Sequence, residues 1–519
     1  MNGGIGDWIV RRAARKPEAT ALIDGDTGRA LTYRELERSV AELTASLYRL
    51  GLRRGDRVAL LMENCPELVE VLFAAADLGA VVVPVNFRLG VGEIAYLLAD
   101  SGASLLVVSD RFRESAAAAL RPGQHGVRQV ITETGGGGFD ALPTSALPAL
   151  RGGPGRGPDP LTRAEDICVI MYTSGTTGRP KGAMLTHGNM QWNAINMATI
   201  GTGLSGSTVT MAVAPMFHIG ALGLSVLPIL YAGGTVVTVR AFEPAAALEL
   251  LAEYRVTTQF MVPAMWAALA AVPNFAAHDG SAMQYVLCGG APCPLPVIEF
   301  YQRHGWTFLE GFGMTEASPN TLLLDADFVV SRAGSVGRPF MHVDVRIVDA
   351  EDHDVRPGEV GELVLRGPNI FAGYWGLPAE TAEAMRGGWF HTGDLGRADA
   401  DGFVTLVDRK KDMIITGGEN VYPIEVEQVL YRHPAVADVA VIGAPDERWG
   451  ETVVAVVVPA AGSSPDGAEL VRYAREQIAH FKCPRRVDFV EELPRTATGK
   501  VLKRELRQRY AGSDRTVHR

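Results

Sequence analysis

Cysteine is scarce in this chain of 519 residues. The five present, Cys65, Cys168, Cys288, Cys293 and Cys483, are odd in number and lie mostly inside apolar runs. That argues against a disulfide framework and suits thiols kept reduced in a cytoplasm. Cys288 and Cys293 lack metal-ligand spacing and have no histidine cluster near them in sequence, so no metal cage is read there. Positive charge is also in deficit: 49 Lys and Arg stand against 59 Asp and Glu, a formal net charge of −10. A general nucleic-acid binder carries a basic footprint, so that class is set aside and any phosphate site must be local. The third absence is a long unbroken apolar stretch. The longest apolar region, Val209 to Val239, is interrupted by Pro215, His218, Pro228 and Gly233-Gly234, a poor match for a spanning helix and a better one for buried core. Met1 to Thr20 contains nothing like a secretory leader. A cytoplasmic protein without a transmembrane segment is therefore expected, and no internal repeat is visible.

What is present is an alternation of strand and helix signals, on a chain long enough to require two or more domains. Thr32 and Glu35 form a capping box ahead of Leu36, Val40, Leu43, Leu47 and Leu50, an apolar stripe at helical spacing stopped by Gly51. Arg57 to Met62 reads as a strand, Pro66 opens the next helix, and Val81–Val83 and Leu105–Val108 continue the pattern. Such alternation implies an α/β fold, sheets covered by helices with crossovers between parallel strands. Gly- and Pro-rich composition from Thr134 to Asp166 reads as loop or linker. Short β-like segments over about 334–406 suggest a small β-barrel or distorted sheet. The charged cluster Asp408 to Asp412 looks like a boundary, giving a large N-terminal domain, 1–409, and a small α+β domain, 410–519.

The chemistry is densest at Tyr172 to Lys181, Tyr-Thr-Ser-Gly-Thr-Thr-Gly-Arg-Pro-Lys, directly after the strand-like Ile167 to Met171. Gly175 and Gly178 lack the Cβ that would block a close phosphate, and hydroxyls and backbone N–H groups can turn toward an anion. The spacing is not that of the P-loop, which places Lys-Ser/Thr directly after its second glycine. Gly289-Gly290-Ala291 follows the strand-like Tyr285 to Leu287, and Gly311-Phe312-Gly313-Met314-Thr315-Glu316 follows Thr307 to Leu309. Glycines after strands admit a flat ring, and Phe312 can stack on it. Thr315 and Glu316 supply hard oxygens of the kind Mg²⁺ takes on a triphosphate. Thr392-Gly393-Asp394 sets a carboxylate in a turn, where it can accept from two ribose hydroxyls.

Taken together and in this order, these motifs resemble the adenylate-forming superfamily: acyl- and aryl-CoA synthetases, firefly luciferase and the adenylation domains of peptide synthetases. The likeness spans nearly the whole chain, to the terminal Pro494-Arg495-Thr496-Ala497-Thr498-Gly499-Lys500. Within the superfamily it is to bacterial fatty-acyl-CoA and feruloyl-type CoA ligases. The resemblance implies that Thr173, Ser174, Gly175, Thr176, Thr177 and Gly178 wrap the β- and γ-phosphates of ATP, with Lys181 nearby. Gly289, Gly290, Ala291, Gly311, Phe312 and Gly313 would frame adenine, with Phe312 where a tyrosine is commoner. Thr315 would hold the α-phosphate, Glu316 the Mg²⁺, and Asp394 and Arg409 the ribose. Lys411 would be the hinge of a mobile C-terminal domain, Lys500 the catalytic lysine, and Gly417 and Gly418 the border of the coenzyme A tunnel. Trp192, His218, Gly290, Gly313, Met314, Pro319 and Asn320 would line the acyl pocket.

The resemblance thus implies an ATP-dependent acid–CoA ligase acting on a largely apolar monocarboxylic acid, fatty or aryl-propenoic. Its partners would be the small-molecule acid, ATP and CoA. Loading of a carrier protein and a non-catalytic nucleotide sensor are the alternatives, and homodimerisation is left open. Intact Lys500, Glu316 and Asp394 count against the sensor, which needs no group on a reacting carboxylate.

Overall fold

Apolar runs of strand length, rich in Val, Leu and Ile, become adjacent strands in the computed structural model. It describes residues 3–121, 125–135, 137, 139, 142–152, 162–173, 179–410, 412–417, 419–446, 448–495 and 501–511. Arg57–Leu61 pairs in parallel with Val81–Pro84 on one side and Leu105–Val108 on the other. Most of these side chains are fully enclosed, because a parallel sheet is covered on both faces by the helices that connect its strands. The helices start where the sequence places them. Tyr33–Arg49 follows a complete Thr32–Glu35 capping box, and Pro66 stands in the first turn of Pro66–Asp77.

The chain divides into two compact units, Met1–Val345 with Leu365–Phe390, and Arg346–Val364 with His391–Arg519. Among the described residues the first unit holds three sheets. The largest has eight strands, in the order Gly373–Tyr374, Lys181–Thr186, Ile167–Thr173, Val81–Pro84, Arg57–Leu61, Leu105–Val108, Gln129–Thr132 and Thr144–Ala146. The last of these comes from the stretch read as linker. Thr144 pairs with Val130, and Leu147 just after it is fully buried, so three residues with one apolar anchor suffice to extend a sheet edge. A five-stranded sheet runs Thr258–Met261, Tyr285–Gly289, Phe308–Gly313, Asn320–Leu324 and Arg338–Pro339. Its first three strands are parallel and the rest antiparallel. The third sheet joins Val209–Ala212, Thr235–Thr238, Thr20–Asp24 and Ala30–Thr32. The apolar region 209–239 thus folds as strand, helix and strand, with Met211, Leu222, Leu230 and Val237 buried. Among the described residues no helix is long and apolar enough to cross a membrane.

The second unit contains a four-stranded sheet, Asp344–Val348, Gly361–Arg366, Phe390–Ala398 and Val404–Arg409. This is the region read as a barrel or distorted sheet. A second sheet is built around the long hairpin Val436–Asp446 and Gly450–Pro459. Helices Pro423–Leu430 and Gly467–Arg475 close one core, formed by Val426, Leu430, Val441, Ala455 and Leu470. The molecule is therefore α/β, with sheets covered by helices.

Candidate active site

Strands Ile167–Thr173 and Lys181–Thr186, on either side of the Gly-Thr-Thr-Gly motif in sequence, pair antiparallel with Thr173 opposite Lys181. Ser174, Gly175, Thr176, Thr177 and Gly178 lie outside the described residues. The edge strand Gly373–Tyr374 lies against Lys181–Thr186, setting Tyr374 opposite Ala183. This brings the Tyr374 ring under the Lys181 ammonium, with Nζ 5.2 Å from the ring centroid, within reach of a cation–π attraction. The same Tyr374 donates its hydroxyl to Glu316 Oε1 at 3.0 Å, and Glu316 O accepts from Phe371 N at 2.8 Å. Lys181 and Glu316, 135 positions apart in sequence, are joined through one aromatic side chain. The sequence reading missed Tyr374, since an isolated tyrosine carries no motif signal. Only the strand register gives it a role.

Glu316 is buried and adjoins Thr315 in a short helical turn, Thr315–Ala317. Among the described residues no group of three or more His, Cys, Asp or Glu could hold a metal ion. A single buried carboxylate suits Mg²⁺, which takes most of its oxygens from phosphate and water rather than from a protein cage.

Strands Tyr285–Gly289 and Phe308–Gly313 lie parallel with Gly289 opposite Gly311. Gly289, Gly311 and Gly313, read as following these strands, lie within them, while Gly290 follows as read. A Cβ on Gly289 would stand 3.0 Å from Gly311 O, a tight approach, whereas one on Gly311 would meet nothing closer than 3.5 Å. Gly290 turns the chain away at φ +87, ahead of the exposed Ala291. Phe312 lies opposite Leu322 and is half-buried. One register position earlier Cys288 faces Glu310, whose Oε1 accepts from Cys293 N at 2.9 Å.

Burial pushes the Glu310 carboxyl up to about 7, against the opposing pull of that N–H. A carboxyl raised on folding stabilises fully below its unfolded value of 4.5 and loses that contribution as pH climbs through about 7. Moving from 4.5 to about 7 corresponds to about 3 kcal/mol. Glu310→Gln should therefore be more stable than the parent at pH 8 by up to that amount, and nearly equal to it at pH 5. Urea unfolding at the two pH values measures this; a gap that did not change with pH would contradict it.

Thr186 caps helix His187–Met197 through a full capping box with Asn189. Three asparagines at i, i+4 and i+7, Asn189, Asn193 and Asn196, share its buried face. Asn189 Nδ2 donates to Pro368 O and Ile370 O, both at 2.8 Å, and Asn193 Nδ2 donates to Gly223 O at 2.6 Å. Asn193 Oδ1 accepts from Asn320 Nδ2 at 2.7 Å. Trp192, on the same helix, is instead 37% exposed and packs on His342, ring centroids 5.0 Å apart. Phe217 and His218 have ring centroids 4.4 Å apart, and Phe217 meets Phe87 edge-on. The π-helical segment Ala221–Val226 follows and carries Gly223 against Pro319, where a Cβ would stand 2.7 Å from Cδ. Gly313 is equally confined, since its Cβ would reach 2.0 Å from Pro319 O, and Met314 N donates to the same oxygen at 3.2 Å. Gly313, Met314, Pro319, Asn320 and the segment after His218 are therefore neighbours. The asparagine face passed unnoticed in the sequence because polar residues at helical spacing normally mark the solvated side.

In the second unit, Asp394 lies within strand Phe390–Ala398 rather than in a turn. Gly393 at φ +71 gives the local irregularity that looked like a turn in sequence. Asp394 is opposite Arg409 on the neighbouring strand, and Arg409 Nε reaches its Oδ1 at 2.8 Å. Thr392 Oγ1 accepts from Asp394 N at 3.0 Å and donates to Leu363 O at 2.7 Å, so the carboxylate is held on a braced strand. Gly417 adopts φ +60 and donates its N–H to Trp449 O at 2.8 Å. Lys411, Gly418 and Lys500 lie outside the described residues.

The family model for AMP-binding enzymes matches residues 9–375, and that for the AMP-binding enzyme C-terminal domain matches 425–500. The chain belongs to the AMP-binding enzyme family. A feruloyl-CoA synthase from an Amycolatopsis species is 47% identical over 98% of this chain and 99% of that protein. An indoleacetate–CoA ligase from Aromatoleum aromaticum is 38% identical over 98% of each. The solved structure of ATP-bound MatB from Rhodopseudomonas palustris superimposes with a TM-score of 0.88 at 31% identity, covering 99% of both chains. This AMP-binding enzyme is thus an acid–thiol ligase of the acyl-CoA synthetase branch of the adenylate-forming superfamily.

Proposed function

We propose that this AMP-binding enzyme activates an aryl-propenoic acid with ATP and transfers the acyl group to coenzyme A. The observation that carries the reading is the Lys181–Tyr374–Glu316 arrangement, which sets a cation and a buried carboxylate around one ring at the start of strand Lys181–Thr186. The 47% identity to a feruloyl-CoA synthase supports the aryl side of the substrate class. A fatty acid is the second reading, supported by a Mycobacterium tuberculosis fatty acyl CoA synthetase structure at 34% identity and TM-score 0.79, covering 98% of each chain.

Chemically, a carboxylate must attack the α-phosphate, so two anions have to meet. Mg²⁺ held by Glu316 would neutralise part of the triphosphate charge. Thr315 would orient the α-phosphate, and Asp394, braced by Thr392 and joined to Arg409, would fix the ribose. Lys500 would offset the charge that develops as pyrophosphate leaves. In the second half-reaction a thiol attacks the same carbonyl, and a lysine parked over it would obstruct that approach. Rotation of 410–519 about Lys411 would withdraw Lys500 and present Gly417 and Gly418 to coenzyme A.

The test is pyrophosphate exchange into ATP, followed by AMP release on adding coenzyme A, with aryl-propenoic and fatty acids side by side. Exchange driven by aryl-propenoates, with AMP release that needs both acid and free coenzyme A, is the expected result. Exchange with fatty acids alone would select the second reading.

A further inference from the structure

The residues read as acyl-side include one polar group, Asn320, whose orientation its neighbours dictate. Gly223 O can only accept a hydrogen bond, so Asn193 must turn its Nδ2 toward it and offer Oδ1 on the other side. Asn320 must then donate Nδ2 to that Oδ1. Its backbone is held too, since Asn369 Nδ2 donates to Asn320 O at 2.7 Å. What remains is Asn320 Oδ1. It has no partner among the described residues, although only 4% of the residue is exposed, and it is not among the fully enclosed polar atoms that Asn369 Oδ1 joins. A nearly buried carbonyl with no donor is costly unless something in the adjoining space supplies one. Pro319 before it and Gly313 opposite it in the strand register carry no side-chain donor, and the Thr321 hydroxyl after it donates to Pro319 O at 3.4 Å.

We propose that Asn320 Oδ1 accepts a hydrogen bond from the ring hydroxyl of a hydroxylated aryl-propenoic acid, with Asn193 as the positioning residue that fixes the amide. The inference rests on the aryl-acid reading above and narrows it. The fixed orientation makes the site an acceptor only, so it distinguishes a hydroxyl, which can donate, from a methyl ether, which cannot. A pocket built to bond a hydroxyl rejects the analogue lacking it, because its own polar group is left unpaired. The para position is the ring atom farthest from the reacting carboxylate and the one that reaches deepest.

The experiment compares kcat/KM for 4-hydroxycinnamate, cinnamate and 4-methoxycinnamate in the parent, Asn320→Leu and Asn193→Leu. In the parent, 4-hydroxycinnamate should exceed both analogues by about tenfold or more. Asn320→Leu should bring the three acids to within about threefold of one another. Asn193→Leu frees the Asn320 amide to rotate and present Nδ2, so it should selectively improve 4-methoxycinnamate relative to 4-hydroxycinnamate. A merely structural role would lower all three acids by one factor and leave the ratios alone. Parity of the three acids in the parent overturns the inference and leaves the aryl reading standing, and it requires no variant to fold. Failure to activate any aryl acid, with fatty acids turned over, overturns both.

Discussion

Replacing Lys500 by alanine should slow adenylate formation by about a thousandfold while leaving transfer from supplied acyl-adenylate to coenzyme A within about threefold of the parent rate. The asymmetry follows from where charge develops. In the first half-reaction an anionic carboxylate closes on an anionic phosphate and pyrophosphate departs, and a preplaced ammonium is stronger in that transition state than in the ground state. In the second, the thiol attacks the uncharged acyl carbon of the mixed anhydride, no anionic carboxylate has to close on a triphosphate, and the lysine has less developing charge to meet. Pyrophosphate exchange reads the first step, and thioester formation from synthetic acyl-adenylate reads the second. Equal loss in both assays would remove Lys500 from its assigned role.

Glu316→Gln should reduce adenylate formation by about a hundredfold or more, with the Mg²⁺ concentration for half-maximal rate raised by about tenfold. The substitution keeps size and leaves an Oε1 to accept from the Tyr374 hydroxyl, which now bonds the carboxylate at 3.0 Å. Loss of fold is thereby separated from loss of charge. Tyr374→Phe serves as the comparison: it deletes the hydroxyl and keeps the ring under Lys181. Its effect should be smaller, about tenfold, with little change in Mg²⁺ dependence. A Glu316→Gln enzyme whose Mg²⁺ curve coincided with the parent's would show that the carboxylate does not hold the metal.

Much of the local structure was written in short-range patterns. The Thr32–Glu35 box, Pro66 in the first helical turn, the valine and leucine strands and the Thr186 cap all formed as the residues dictate. Each depends on neighbours within four positions, where propensity and hydrogen bonding act directly. The misjudged places share a different cause. Asp394 looked like a turn residue because Gly393 precedes it, yet its strand is held by pairing with Arg409. Thr144–Ala146 looked like linker because its composition is loop-like, yet it completes a sheet edge.

By itself the sequence determined the α/β class and the order of the motifs that mark an AMP-binding enzyme. Those follow from residue type and local spacing. The tertiary structure alone decided that Tyr374 links Lys181 to Glu316, and that Asn193 forces Asn320 to present an acceptor. Both depend on strand register and on a helix face turned inward. Partners 58 and 127 positions apart meet only after the sheets have closed, and no local propensity encodes that distance.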